Sequence, residues 1–230
     1  MSTEVEGLPF EQPGNFEFTP ENLDRAKAHI VKYPPGRQAS AVLPLLWIAQ
    51  EQHGGWLPHA AMDHVARILE MASIRVYEIA TFYTMFNLRP VGRYLLQACT
   101  TTPCWLRGSD AVVQACRRKL GIDVGGTTAD GLFTLVEVEC LGACVNAPIL
   151  QVNDDFYEDL DAPATEALLD ALRNGKAPLP GSVIGRQGSE PVSGRSTLVE
   201  PGVGSVGSQE LEGRNACRQG SDFHQSLRPG

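Results

Sequence analysis

Four of the six cysteines stand in two pairs. Cys99 and Cys104 enclose Thr-Thr-Thr-Pro, Cys140 and Cys144 enclose Leu-Gly-Ala, and 35 residues separate the pairs. Four thiolates suit either zinc or an iron–sulfur cluster. Zinc ribbons commonly use C-x2-C knuckles; the spacings here, C-x4-C and C-x3-C, still fall inside the zinc range. The wider loops leave room for a larger inorganic core. Their small residues, Thr100, Thr101, Thr102, Gly142 and Ala143, let backbone N–H groups approach sulfur. Such hydrogen bonds raise the potential of an anionic centre, and acids such as Glu139 lower it. Spacing alone leaves zinc and iron–sulfur both open.

Other cysteine chemistry fits less well. A thioredoxin-type dithiol needs C-x-x-C, which is absent. A nucleophilic cysteine needs a histidine, but His29, His53, His59 and His64 all precede the cysteines and His224 lies near the end. No catalytic residue is therefore expected. Four buried structural cysteines are the plain alternative, and matched pairing at two places argues against it.

The elements that must position the pairs follow from texture. Residues 1–18 read as an N-terminal extension and 19–90 as a helical bundle. Thr19-Pro20 has the form of a cap followed by proline. Helices are predicted over Gln38–His53, from Pro58 onward, and from a Ser73 cap onward. Residues 91–175 change character. Arg93–Ala98 and Leu132–Glu139 read as strands, the second with Leu132, Thr134, Val136 and Val138 on one face. A helix is predicted over Cys104–Leu120. Pro148–Val152 and Phe156–Asp159 form a hairpin about Asn153-Asp154-Asp155, and Pro163–Arg173 is a closing helix. Each cysteine pair follows a strand, so neighbouring strands would gather four thiols at one sheet edge. The order suits an α/β, thioredoxin-like fold. Residues 176–230 are rich in Gly, Ser and Pro and read as a disordered C-terminal tail.

Composition narrows the partners. The chain has 230 residues, 43% hydrophobic and 20% charged, within the globular range, and a net charge of −8 that disfavours nucleic acid. No run of about 18 apolar residues exists for direct membrane insertion. The acidic start MSTEVEGLPFEQ lacks the marks of a secretory or mitochondrial leader, which predicts a cytosolic protein with reduced thiols.

Several features tempt and are discounted. Gly202 to Gly207 matches G-x-G-x-x-G, but no strand–turn–helix context surrounds it. Cys116 reads as a core residue and Cys217 as a free thiol. Asp154, Asp155, Glu158, Asp159 and Asp161 suit either a docking patch or a solvated turn with a capping acid. Phe82, Tyr83 and Phe86 read as packing, with a partner interface as the alternative, and Trp105 as a shield for the centre or plain helix packing.

Three segments together resemble a known family. They are Ala80–Phe86 (ATFYTMF) followed by Pro90, CTTTPCWLRGSD from Cys99, and VECLGACVNAPILQVNDDFYEDL from Val138. They are similar to the small 2Fe–2S subunits of respiratory complex I, the NADH–quinone oxidoreductase. The resemblance runs from about Phe18 to Gly175, with no departure at the four cysteines. It implies one 2Fe–2S cluster on Cys99, Cys104, Cys140 and Cys144, in a thioredoxin-like domain preceded by a helical bundle. It implies docking on the FMN- and NADH-binding subunit within the hydrophilic arm. The chain would be an electron carrier without its own NADH or quinone site. Its place would be cytoplasmic, peripheral on the inner face of a bacterial cell membrane. The alternatives are the equivalent subunit of an NAD-linked formate dehydrogenase or NAD-reducing hydrogenase, or a zinc-stapled structural module.

Overall fold

Thr19 opens the first helix: its hydroxyl accepts from the Asn22 N–H at 3.3 Å, and Pro20 occupies the first turn, where no amide partner is needed. This computed structural model describes residues 10–194. Helix α1 covers Pro20–Ile30, α2 Val42–Gln52, α3 His59–Ile68 and α4 Ser73–Phe82. Their apolar faces form one cluster with Phe16 and Phe18, centred on Leu45, Leu46, Ile48, Met62, Val65 and Val76. Gln50 is buried within it. Its amide donates to the Met85 carbonyl at 3.1 Å and accepts from the Asn87 N–H at 2.7 Å, which pins the segment after α4. Ser73 is the first residue of α4 rather than its cap, and its hydroxyl serves Asp63 on α3 instead.

A second apolar cluster lies under a five-stranded sheet. Strands β1 (Tyr94–Cys99), β2 (Phe133–Val138), β3 (Leu150–Val152), β4 (Asp155–Glu158) and β5 (Gly181–Ser182) take the order β2-β1-β3-β4-β5. β1 and β2 run parallel, joined by α5 (Thr102–Leu106) and α6 (Ser109–Leu120). β3 pairs antiparallel with both β1 and β4. Helix α7 (Ala162–Arg173) is capped by Asp161, whose carboxylate accepts from the Ala164 N–H at 2.8 Å. It lies beside α6, joined by the ion pairs Arg118–Glu166 and Lys119–Asp170. Between sheet and helices sit Leu96, Val112, Cys116, Phe133, Leu135, Leu150, Leu168 and Leu172.

Three differences from the sequence reading have physical reasons. The helix expected over Cys104–Leu120 is two helices, broken at Gly108. That residue takes φ 98°, a conformation open to glycine, so α5 stays at the sheet edge while α6 turns onto the sheet. The buried face of β2 is Phe133 and Leu135, not the alternate set, since both sets carry apolar residues and period alone cannot choose between them. Thr134 is nevertheless fully buried, because its hydroxyl accepts from the Gly92 N–H at 2.6 Å and bonds Thr127. Finally, the stretch assigned to a tail contributes β5, parallel to β4, with the Val183 N–H on the Glu158 carbonyl at 3.1 Å. The rest of that expectation, with Cys217 and the glycine motif at 202–207, lies outside the described residues. All the elements named belong to one compact unit, Met1–Gly188; Ser189–Gly230 forms a second.

Candidate metal centre

Parallel pairing of β1 and β2 decides where the cysteines meet. Cys99 ends β1 opposite Val138, the last residue of β2, so both chains leave the sheet at one edge. The first chain makes a short loop and enters α5, with Pro103 in its first turn and Cys104 buried beside it. The second passes Cys140 and Gly142 into a 3-10 turn over Cys144–Asn146, followed by the cis peptide Ala147–Pro148 and β3. The Cys99 N–H donates to the Ile149 carbonyl at 3.2 Å, joining this edge to the third strand. Cys99 and Cys104 pack in a small apolar cluster with Ala147 and Ile149. Cys140 and Cys144 are exposed.

The four thiols meet as two pairs. Cys140 Sγ and Cys144 Sγ are 3.4 Å apart, and Cys99 hydrogen-bonds Cys104. Thr101 links the pairs: its hydroxyl lies 3.3 Å from Cys99 Sγ and also reaches Cys140. The Gly142 N–H donates to Cys140 Sγ at 3.4 Å, and the Leu141 and Ile149 backbones serve Cys99 and Cys104. One sulfur in each pair is favoured as thiolate. Burial pushes Cys99 up, yet hydrogen bonds from Thr101 and Leu141 outweigh it and the net shift is downward. Cys140 is lowered by the Gly142 N–H and then by Cys144. Burial and its bond to Cys99 push Cys104 up to about 12, and Cys144 is raised by its bond to Cys140. Metal ligation displaces those remaining protons.

This donor set discriminates between the metals left open by spacing. A lone zinc holds four sulfurs at about 2.3 Å from one point. Here, among the described residues, no three His, Cys, Asp or Glu side chains converge so as to hold a single ion. Two thiol pairs, each with its own hydrogen-bond donors and tied through one hydroxyl, suit a centre of two metals with two thiolates each. The histidines stay in the helical segment, as the sequence indicates, and Cys116 is fully buried among apolar residues.

Around the thiols the surface is apolar. Trp105, Leu106 and Val145 are 57%, 71% and 61% exposed although each directly adjoins the cysteine loops. Trp105 therefore does not cover the centre. The acids divide: Asp161 caps α7, while Asp159 is buried against Arg186, an ion pair that sequence reasoning missed. Only a basic residue in the supposed tail could have signalled it. Phe82 and Tyr83 are exposed and in edge-on contact, whereas Phe86 is core.

Known proteins share this chain's sequence and fold. The family model of the thioredoxin-like [2Fe-2S] ferredoxins matches residues 26–173, a span that includes both cysteine pairs. A small NADH-quinone oxidoreductase subunit of Rickettsia bellii (strain RML369-C) is 58% identical over 160 residues, covering 70% of this chain and 96% of that protein. The mitochondrial NADH dehydrogenase [ubiquinone] flavoprotein 2 of Dictyostelium discoideum is 48% identical over 211 residues, 92% of this chain and 85% of that protein. Coverage that high takes in much of the stretch after residue 175. Among solved structures, an NAD+-reducing [NiFe]-hydrogenase in the H2-reduced state superposes with a TM-score of 0.51 at 23% identity, over 57% of this chain and 22% of that chain. At that identity the likeness is one of fold.

Proposed function

Because the chain belongs to the thioredoxin-like [2Fe-2S] ferredoxin family, we propose that Cys99, Cys104, Cys140 and Cys144 hold its one 2Fe–2S cluster and that the chain is the electron-transfer subunit of an NADH–quinone oxidoreductase. The observation that carries the reading is the meeting of two thiol pairs at one sheet edge. When bound, the cluster supplies one-electron redox chemistry. The protein's own part is electrostatic and geometric. Cys99 and Cys104 are held in an apolar floor with Ile149, which limits water and fixes their directions. The Thr101 hydroxyl and the Gly142, Leu141 and Ile149 backbones aim donors at sulfur and offset its negative charge. No described residue cluster suggests a nicotinamide or quinone site in this chain.

The subunit works within a multi-subunit NADH-oxidising complex. Its partner in our reading is the FMN/NADH-binding subunit of the hydrophilic arm, docked against the exposed Trp105, Leu106 and Val145 beside the cluster. Desolvating such residues on binding favours association. No described helix is long and apolar enough to cross a membrane, so we place the chain peripherally, through the complex. A second reading, the equivalent subunit of an NAD-reducing hydrogenase, draws on the fold likeness alone; the 58% identity to a subunit of an NADH-quinone oxidoreductase favours the first.

The test is spectroscopic. Protein purified without oxygen should absorb in the visible range and give a one-electron EPR signal after dithionite. Cys144→Ser should lose or distort that signal, and Cys217→Ser should not. A colourless chain with stoichiometric zinc defeats the proposal.

A further inference from the structure

Residues 181–188 lie beyond the span matched by the family model, yet they close against the second cysteine loop. β5 adds to the sheet beside Tyr157 and Glu158, and the chain then bends back toward Cys144. Arg186 and Asp159 form an ion pair whose side chains are 7% and 3% exposed. Arg186 Nε donates to Asp159 Oδ2 at 2.9 Å and Nη2 to Oδ1 at 2.6 Å. Nη2 also donates to the Val145 carbonyl at 2.8 Å. Ser182 Oγ donates to Asp159 Oδ2 at 2.7 Å and accepts from the Arg186 N–H at 3.3 Å. From the other side, the Asp159 N–H donates to the Asn146 carbonyl at 2.7 Å, and Asn146 Nδ2 donates to Gly188 at 2.7 Å and to Glu158 at 2.6 Å. Val145 and Asn146 are the two residues after Cys144, in the same 3-10 turn.

We infer that residues 181–188 are a strap that positions the Cys144 turn, and that the buried Arg186–Asp159 pair both locks this strap and sets the balance of charge beside the second cysteine pair. The strap makes up for what the turn lacks. Cys144 sits on a three-residue 3-10 segment with no side-chain cap, exposed to solvent, while its counterpart Cys104 is buried in a helix against an apolar floor. A short turn bound by few bonds of its own opens readily. The strap gives it bonds to a charged donor, which count for more than neutral ones. The pair also carries opposite charges at fixed places, and losing either partner leaves the other uncompensated in a buried site.

The electrostatic half rests on the 2Fe–2S reading; the positional half does not. Two measurements on the full chain separate them. In cluster-loaded protein, EPR-monitored redox titration should move in opposite directions. Arg186→Gln leaves a carboxylate unbalanced and shifts the potential negative; Asp159→Asn leaves a guanidinium unbalanced and shifts it positive. Asn tolerates the positive φ of 56° at that position. Arg118→Gln, an exposed cation on α6, should leave the potential unchanged. In metal-free protein, amide exchange over residues 144–146 should speed up at least about tenfold in Arg186→Gln, and less in Ser182→Ala. Potentials that move in the same direction overturn the electrostatic half, and unchanged exchange in Arg186→Gln overturns the strap. A wild-type chain that takes up no cluster defeats the 2Fe–2S reading while the exchange measurement still decides the strap. If Arg186→Gln does not fold, Arg186→Lys decides: a wild-type potential with faster exchange supports the inference, and wild-type exchange overturns it.

Discussion

Replacing Gly92 with alanine should unseat the sheet edge that gathers the cysteines. Gly92 stands just before β1, where the chain crosses β2 at close range. A Cβ there would lie 2.7 Å from the Phe133 carbonyl carbon and 2.9 Å from the Phe133 and Thr134 nitrogens. These are backbone atoms, so no rotamer relieves the contact. To reach ordinary van der Waals distance the strands must part by about 0.7 Å, and overpacking of this kind costs about 1–3 kcal/mol, here toward the top of that range. Parting also stretches the bond from the Gly92 N–H to Thr134 Oγ1, a further loss of about 1 kcal/mol. The stiffer unfolded chain returns about 0.4–1 kcal/mol. The net loss is about 3 kcal/mol, and at 2–4 °C per kcal/mol for a chain of this size the melting temperature should fall by about 9 °C. Circular dichroism on melting checks this. Gly36→Ala is the control: its φ is +78° with nothing within 4 Å, so only backbone strain of about 1–2 kcal/mol applies. A Gly92→Ala melt no lower than that of Gly36→Ala refutes the reasoning.

Acid should weaken the helical half through two histidines. Burial holds His53 and His64 below the ordinary histidine value, with Arg67 adding to the effect at His64 and Glu17 opposing it; the Phe18 N–H donates to His64 Nε2, which must be unprotonated to accept it. The unfolded chain thus binds more protons, so stability is complete above about pH 6.5 and falls as pH drops through the folded values. Denaturant midpoints from pH 7.5 to 5.5 should fall in the wild type and flatten in His64→Gln; equal slopes would sink the argument. Thr101→Val removes the hydroxyl that serves both thiol pairs and should lower the cluster potential without changing the melt of the metal-free chain; an unchanged potential counts against it. Leu106→Ser, at a side chain 71% exposed, should leave folding within about 0.5 kcal/mol of wild type yet weaken binding to the flavoprotein subunit by about tenfold or more in titration calorimetry. Unaltered affinity would remove Leu106 from the docking face.

Much of this was legible in the cysteine spacing and the strand patterns that precede each pair, because both are local signals. The hairpin about Asn153 and the Asp161 cap were equally readable, since each depends on a few neighbouring residues. What escaped depends on distant partners. The break at Gly108 follows from where α6 must lie on the sheet. The face of β2 follows from which side α6 and α7 cover, as its two sets of alternate residues are both apolar. Burial of Cys99 and Cys104 against exposure of Cys140 and Cys144 reflects the apolar floor provided by Ile149. The strap was hidden for another reason. Segments poor in large apolar residues read as disordered, and this one is held by a buried ion pair and strand pairing, which hydropathy does not register.

The parallel course of β1 and β2 also sets an order of events during synthesis. Had the two strands run antiparallel, their cysteine loops would leave opposite ends of the sheet, about 20 Å apart for strands of six residues. Instead both leave together, but only once β2 has docked on β1 across the intervening α5 and α6. A ribosome that has released Cys99 and Cys104 has made half a site, held on one side by a strand that still lacks its neighbour. Cluster delivery before that docking would find two thiols, and afterwards four. The crossover is therefore a checkpoint in time as well as a scaffold: it makes loading the cofactor wait for completion of the sheet.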